Sequence, residues 1–460
     1  MAPLRPGVRK HVRRMRVIVV GCGEVGQNVA RTLSAERHEV TVVDQDPARV
    51  SALQGELDAL VVHGNGASPK FLSDIGAGQA DLLCAVTQSD ESNVIAALAA
   101  RQLGTQRTVA RVRDPDYFGT GGSFERDVLG IDFVIHPERA TAEDLAEAIL
   151  LPGAVHVEHF AEGRVAVAEC VLTERSPLIG RPLGERKRLH SHAIAGIIRD
   201  GRAVAADDGH QPKVGDHLLV AASRQDIGPV VSYLAGRALR VRDVVIFGGG
   251  RSGLPLARLL EDAERFDVTV MEADEERARY VAERLRRSTV LHEEGVSKDV
   301  MLAHGVDRAG AFVAAAGDDR ANLLAALHAK QLGASLCLAV VSREEFTPLV
   351  DALHLDAGFS PRLVTAEAIL RAVRGTHVEA VHLLLGGAEV LEVVVDAGSP
   401  AEGRPVPSVA SLAATRIAAI VRGRKVIVPA DGEVVQAGDR LITFNARRGV
   451  SDVAGAFKAG

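Results

Sequence analysis

Gly21-Cys22-Gly23-Glu24-Val25-Gly26 directly follows the apolar run Arg16–Val20, and Gly248-Gly249-Gly250-Arg251-Ser252-Gly253 follows Val244–Phe247. In such a turn the first glycine (Gly21, Gly248) allows a tight bend. The second (Gly23, Gly250) lets backbone approach a pyrophosphate, and the third (Gly26, Gly253) lets the following helix pack close to its sheet. That helix would point unpaired N–H groups and a partial positive charge at the phosphates. About twenty residues on, a second Val-rich run ends in an acid, Asp44 in the first copy and Glu272 in the second. An acid there accepts ribose hydroxyls and repels a 2′-phosphate, so each hexapeptide opens a nucleotide site suited to NAD(H) or ATP/ADP rather than NADP(H). Thr87 and Arg111, each ending a later apolar run, fall on the same rim; a guanidinium there can pair with phosphate or carboxylate.

These residues need a scaffold, and the chain writes that scaffold twice. Val62-His63-Gly64-Asn65-Gly66 aligns with Leu291–Gly295, and Asn93–Gly104 with Asn322–Gly333, at one constant offset. Further on, Ser176–Leu183 aligns with Ser399–Val406, and the Gly-Asp pair ending at Asp216 with that ending at Asp439. Short Val/Ile/Leu runs near 16–20, 39–43, 60–62, 82–86, 108–112 and 133–135 alternate with helical stretches, which predicts a doubly wound parallel sheet of order 3-2-1-4-5-6 with ligand at its carboxyl ends. Thr141–Leu150 reads as an amphipathic helix. Residues 155–222 change to short strands at 165–172, 193–199, 203–205 and 217–222 between Gly/Pro/Asp turns, the pattern of a small α+β module.

The fold class expected is α/β: two doubly wound, Rossmann-like parallel-sheet domains, each followed by a small α+β C-terminal module. The boundaries expected are 15–137 for the first nucleotide-binding domain, 138–152 for a connecting helix and 153–225 for the first small module. A linker helix at 226–240 leads to the second nucleotide-binding domain at 241–364, a connecting helix at 365–376 and the second small module at 377–446. Residues 1–14, with Arg5, Arg9, Lys10, Arg13 and Arg14, read as a solvated extension or a start upstream of Met15.

Composition removes several alternatives. The net charge of −6 argues against sequence-independent nucleic-acid binding. No apolar run approaches a membrane span and no apolar leader is present, so a cytoplasmic protein is expected whose membrane role would come through a partner. Cys22, Cys84, Cys170 and Cys337 lie far apart without metal-ligand spacing. Cys22, inside the turn, reads as a small filler rather than a reactive thiol. His156/His159 and His190/His192 lack a matching third ligand, and no metal is expected. None of Tyr117, Tyr233 and Tyr280 is followed four residues on by lysine, and no large substrate domain exists, so nicotinamide chemistry has no evident acid or base.

Taken together, Met15–Gly26, the strand ending at Asp44, Gly64-Asn-Gly66, Ala85–Asn93, Ala110–Tyr117 and the Pro-Leu-Ile-Gly180 and Val-Gly-Asp216 signatures resemble the TrkA family. That family comprises cytoplasmic nucleotide-binding regulatory subunits of Trk-type potassium uptake systems, built from tandem RCK repeats. The likeness runs from about residue 15 to 445. It implies a homo-oligomeric ring, dimeric or tetrameric, docked on an integral-membrane potassium-translocating subunit and gating it according to bound adenine nucleotide, with no enzymatic activity. It also implies nucleotide contacts at Gly21, Cys22, Gly23, Glu24, Val25, Gly26, Asp44, Thr87, Gln88 and Arg111. The second copy departs from the pattern, with Ala316 in place of Thr87, Arg320 of Glu91 and Val340 of Arg111, so its site is expected to bind more weakly or to take a different adenine nucleotide. The competing readings are an NAD-dependent oxidoreductase and a small-ligand sensor unconnected to membranes.

Overall fold

The computed structural model describes residues 14–35, 37–114, 117, 130–185, 192–199, 202–236, 241–294, 297–374, 378–383, 388–412, 415–430, 432–446 and 456–459. The extension expected at residues 1–14 lies outside them except for Arg14. The chain divides into two compact units, residues 1–136 with 368–373, and residues 137–367 with 374–460.

In the first unit, β1 (Arg16–Val20), β2 (Glu39–Asp44), β3 (Leu60–His63), β4 (Leu82–Ala85), β5 (Arg107–Arg111) and β6 (Phe133–Ile135) form one parallel sheet in the order β3-β2-β1-β4-β5-β6, as the sequence predicts. The central strands are covered on both faces, which is why β1 and β4 read as unbroken apolar runs rather than alternations. Helices α1 (Glu24–Ala35), α2 (Pro47–Leu53), α3 (Pro69–Asp74) and α4 (Asp90–Leu103) lie between them. α1 buries Val25, Val29, Ala30 and Leu33, one stripe at helical spacing. Ser89 caps α4 through the Ser92 N–H, and Gly104, at φ +110°, ends it.

The second unit begins with α5 (Pro137–Leu150), followed by an antiparallel sheet of β7 (Ala154–Phe160), β8 (Val165–Val171), β9 (His192–Arg199), β10 (Arg202–Ala205) and β11 (His217–Ser223), in the order β10-β9-β11-β8-β7, and by α6 (Ile227–Ala235). A second parallel sheet repeats the first: β12 (Asp243–Phe247), β13 (Asp267–Glu272), β14 (Thr289–His292), β15 (Ala311–Ala314), β16 (Cys337–Val340) and β17 (Ala357–Phe359), in the order β14-β13-β12-β15-β16-β17. Its helices are α7 (Gly253–Asp262), α8 (Glu275–Ala282), α9 (Lys298–Ala303), α10 (Asp319–Leu332) and α11 (Thr347–Ala352). After α12 (Pro361–Arg374), strands β18 (Val378–Leu383), β19 (Glu389–Val394), β20 (Arg416–Arg422), β21 (Lys425–Ile427) and β22 (Arg440–Asn445), with α13 (Val406–Leu412), form the second small module.

α5 buries Ala142, Leu145, Ala146 and Ile149 in one core with Ile246, Leu256 and Leu260 of the second nucleotide domain. Full burial of Leu145 and Ile149 alone is worth about 3–6 kcal/mol. The two small modules pack face to face through Phe160, Val167, Leu219, Val390, Ile442 and Phe444. Gly196 is required at that contact, since a Cβ there would lie 2.5 Å from the Phe444 ring.

Three expected boundaries shift. The connecting helix expected at 138–152 spans Pro137–Leu150, because a proline fits the first helical turn, where no N–H partner is needed. The second, expected at 365–376, likewise starts at Pro361 and ends at Arg374. The linker helix expected at 226–240 covers Ile227–Ala235 and stops at Gly236, φ +65°. Strand β7 goes unread in the sequence because a bulge between Ala154 and His156 breaks its alternation.

Candidate nucleotide sites

The first turn sits at the carboxyl ends of β1 and β2. Gly21 adopts φ +113° and donates its N–H to the Val43 carbonyl at 2.7 Å. A Cβ on Gly26 would lie 1.9 Å from the Gly21 carbonyl oxygen, so α1 can leave the sheet at this angle only with glycine. Nothing lies within 4 Å of the corresponding point on Gly23, which leaves open space in front of the turn. The Gln27 N–H reaches back to the Gly23 carbonyl at 2.9 Å, so the amides of Glu24, Val25 and Gly26 occupy the helix's first turn, where intrahelical acceptors are lacking. Glu24 is exposed and Val25 buried.

Asp44 braces this turn. Its Oδ2 accepts the Cys22 N–H at 2.6 Å and its Oδ1 the Asp46 N–H at 2.9 Å. Lone pairs remain on both oxygens, so a ribose hydroxyl could be held as well. Cys22 is buried, and burial, reinforced by Asp44 and opposed by Arg49, pushes its thiol up to about 11. It is a protonated, space-filling side chain at neutral pH.

Across the sheet, Asn93 ties the ends of β4 and β5 together. Its Oδ1 accepts from the Thr87 N–H at 2.8 Å and the Thr87 hydroxyl at 2.7 Å, while its Nδ2 donates to the carbonyls of Thr87 at 3.1 Å and Arg111 at 2.8 Å. Asp90 accepts the backbone N–H groups of Arg113 and Asp114 at 2.9 and 2.8 Å, and the Arg113 guanidinium at 3.3 Å. Thr87 and Arg111 are half-buried on this rim, and Gln88 is exposed, its carbonyl accepting from Arg113. The predicted residues therefore gather at the carboxyl ends of neighbouring strands of one sheet: the turn and Asp44 after β1 and β2, Thr87 and Gln88 after β4, and Arg111 at the end of β5.

The second copy repeats this backbone. Gly248, at φ +97°, donates to the Met271 carbonyl at 2.8 Å. A Cβ on Gly253 would lie 1.9 Å from the Gly248 carbonyl oxygen, and one on Gly250 would meet only the Ala315 carbonyl oxygen at 3.9 Å. Glu272 accepts the Gly249 N–H at 2.8 Å and the Asp274 N–H at 3.1 Å. Asn322 bridges Ala316 and Val340, and Asp319 accepts the N–H groups of Ser342 and Arg343. Sequence reading passed over Asp90, Asn93, Asp319 and Asn322 as site residues. The signal available was that both types persist in both copies while the rim residues beside them change.

The small modules have paired buried acids. Asp216 accepts both arms of Arg199 at 2.7 and 2.6 Å and the Lys213 N–H; burial opposes its charge, but these bonds hold its carboxyl below the usual range. Asp439 likewise accepts the Arg422 guanidinium at 2.9 and 2.8 Å and the Gln436 N–H at 2.9 Å. Glu169 holds His217 at 2.5 Å, and at the equivalent place Glu392 holds Arg440 at 2.8 Å. His159 pairs with Glu147 at 2.5 Å and His156 with Glu158 at 3.7 Å; His190 lies outside the described residues. No group of three or more His, Cys, Asp or Glu among the described residues is arranged to hold a metal ion. No helix among them is long and apolar enough to cross a membrane.

Two parallel sheets, each with an acid-braced glycine turn and each followed by an antiparallel module, define a tandem nucleotide-binding-domain protein. The TrkA-N domain profile matches residues 17–137 and 244–361, and the TrkA-C domain profile matches 390–451. The Trk system potassium uptake protein TrkA of Azorhizobium caulinodans is 34% identical, over 94% of this chain and 96% of that one. The protein of the same name from Halomonas elongata is 33% identical, over 97% and 99%. The chain belongs to the TrkA family. Among solved structures, the GsuK RCK domain superposes with a TM-score of 0.62 at 20% identity, covering 94% of this chain and 92% of that one. The GsuK channel bound to NAD gives 0.63 at 19%, covering 94% and 77%. These establish the shared fold.

Proposed function

We propose that this chain is a nucleotide-sensing regulatory subunit that gates a membrane potassium-uptake protein and carries out no chemistry of its own. The observation that carries the reading is the braced glycine turn, present twice in a chain whose full-length relatives are named potassium uptake proteins. The residues present suit an adenine nucleotide, NAD(H) or ATP/ADP. Open space in front of Gly23 and the first-turn amides of α1 would take the pyrophosphate, and Asp44 the ribose. Thr87, Gln88 and Arg111 would close the far side; Gly248, Gly250, Gly253 and Glu272 would serve the second site. Asn93 and Asp90 fix the β4 and β5 ends from which that far side projects, so a ligand spanning the strand ends would bias one arrangement over another, and a homo-oligomeric ring would pass the bias to a gate in an integral-membrane Trk-type translocating subunit.

The test has two arms. Calorimetric titration of the full chain with NAD⁺, NADH, ATP and ADP should show saturable binding. Potassium flux through proteoliposomes holding a Trk-type translocating subunit should then change when the chain is added and change again with the bound nucleotide. Flux indifferent to the chain with every nucleotide would reject the reading, and turnover of nicotinamide with a substrate would favour an oxidoreductase.

A further inference from the structure

The two sites share a backbone but not a charge. At the fourth position of the turn the first copy has Glu24 and the second Arg251, both exposed. In the first turn of the helix after the fourth strand, Glu91 faces solvent in one copy and Arg320 in the other. Beyond the fifth strand, at the residue whose N–H is held by Asp90 or Asp319, stand Asp114 and Arg343. Three acids on one rim are thus three arginines on the other. The second copy does lack Arg111 and Arg113, replaced by Val340 and Ser342. Arg113, however, is already committed to Asp90 and the Gln88 carbonyl. Ala316 and Gly317 in place of Thr87 and Gln88 also remove side-chain bulk from the mouth of the second site.

Building on the nucleotide-sensing reading, we infer that the second site selects an adenine nucleoside di- or triphosphate through its terminal phosphate, whereas the first is suited to a dinucleotide. A pyrophosphate held on the glycine turn and helix N-terminus occupies the same place in either copy. The groups that differ lie farther along, over the ends of β12, β15 and β16, where the next phosphate of a mononucleotide or the second ribose of a dinucleotide must go. A terminal phosphate carries close to two negative charges near neutral pH. Arg251 and Arg320 attract it, while Glu24 and Glu91 repel it from the first site. The present partners of these arginines are weak competitors. Arg320 pairs with Asp318 at 3.3 Å and Arg343 with Glu345 at 3.5 Å, both between exposed side chains, and such pairs are worth little. Arg277 is already engaged, donating to the Gly249 carbonyl at 2.9 Å and stacking over the Tyr280 ring at 4.6 Å.

The test uses the full chain, titrated calorimetrically with ATP, ADP and NAD⁺ at low and high salt. Arg251→Glu with Arg320→Glu should weaken ATP and ADP binding at one class of site at least tenfold and flatten its salt dependence, leaving NAD⁺ affinity and melting temperature unchanged. Both side chains are exposed, so the fold is not at stake. The converse pair, Glu24→Arg with Glu91→Arg, should raise ATP affinity at the other class. Unchanged ATP affinity in the first variant, or an equal fall for NAD⁺, would overturn the inference while leaving nucleotide sensing intact. Absence of any nucleotide binding to the wild-type chain would instead remove the reading on which it rests.

Discussion

In the first nucleotide domain Glu24, Glu91 and Asp114 stand where the second has Arg251, Arg320 and Arg343, whereas Asp44, Asp90 and Asn93 have working counterparts in Glu272, Asp319 and Asn322. The retained residues all bond to backbone. They hold strand ends and turns in place, and losing one leaves buried N–H or C=O groups unpaired. The exchanged residues are exposed on the same backbone, where a change of sign costs the fold little and, on the inference above, changes which anion is welcome. Duplication has therefore kept the groups that build a site and varied those that choose its occupant.

The largest expected effect breaks the shared part. Gly26→Val and Gly253→Val each force a side chain against a carbonyl oxygen 1.9 Å from the Cβ position, and each should cost at least about 3 kcal/mol, read as a large fall in melting temperature. Gly23→Val meets nothing within 4 Å; it should melt like wild type yet lose nucleotide at the first site. If Gly23→Val kept full nucleotide affinity, the working site would be the second one.

Next come the brackets. Asn93→Ala and Asn322→Ala each strip partners from two buried strand ends and should each cost about 2–4 kcal/mol, measured by urea unfolding. Because the two make equivalent bonds to the strand ends, their costs should agree to within about 1 kcal/mol; a large disparity would mean that the halves are not braced alike. Asp44→Ala should weaken nucleotide binding at the first site by about 1–3 kcal/mol, both by losing a ribose acceptor and by freeing the Cys22 N–H. Affinity untouched by this change would remove Asp44 from the site.

The smallest effect sharpens a second contrast, between the small modules. Burial opposes the charge on His217, but Glu169, with Asp351 and Asp216 adding to the field, outweighs it and holds the imidazole above its ordinary value. Its stabilising contribution is complete below the unfolded value of about 6.5 and is lost as pH rises through the raised folded one. Arg440 at the equivalent place cannot titrate in this range. Wild-type stability should thus decline upward from about pH 6.5, and His217→Arg should flatten that decline. Identical pH profiles of melting temperature for the two proteins would show that the pair contributes nothing.

The amino-acid sequence by itself determined the two glycine turns, the acid after each second strand, the duplication and the strand order, because each is written in local chemistry: glycine where φ is positive or backbone crowds, apolar runs where strands are covered on both faces. Tertiary structure alone decided three things. It sent α5 into the core of the second nucleotide domain, since an amphipathic stripe states that a helix must be covered and not by what. It hid β7 behind a bulge, which breaks the period that sequence reading depends on. It also turned Asp90 and Asn93, ordinary helix-start residues to the eye, into the ties between neighbouring strand ends, because their partners are backbone groups that no residue type announces.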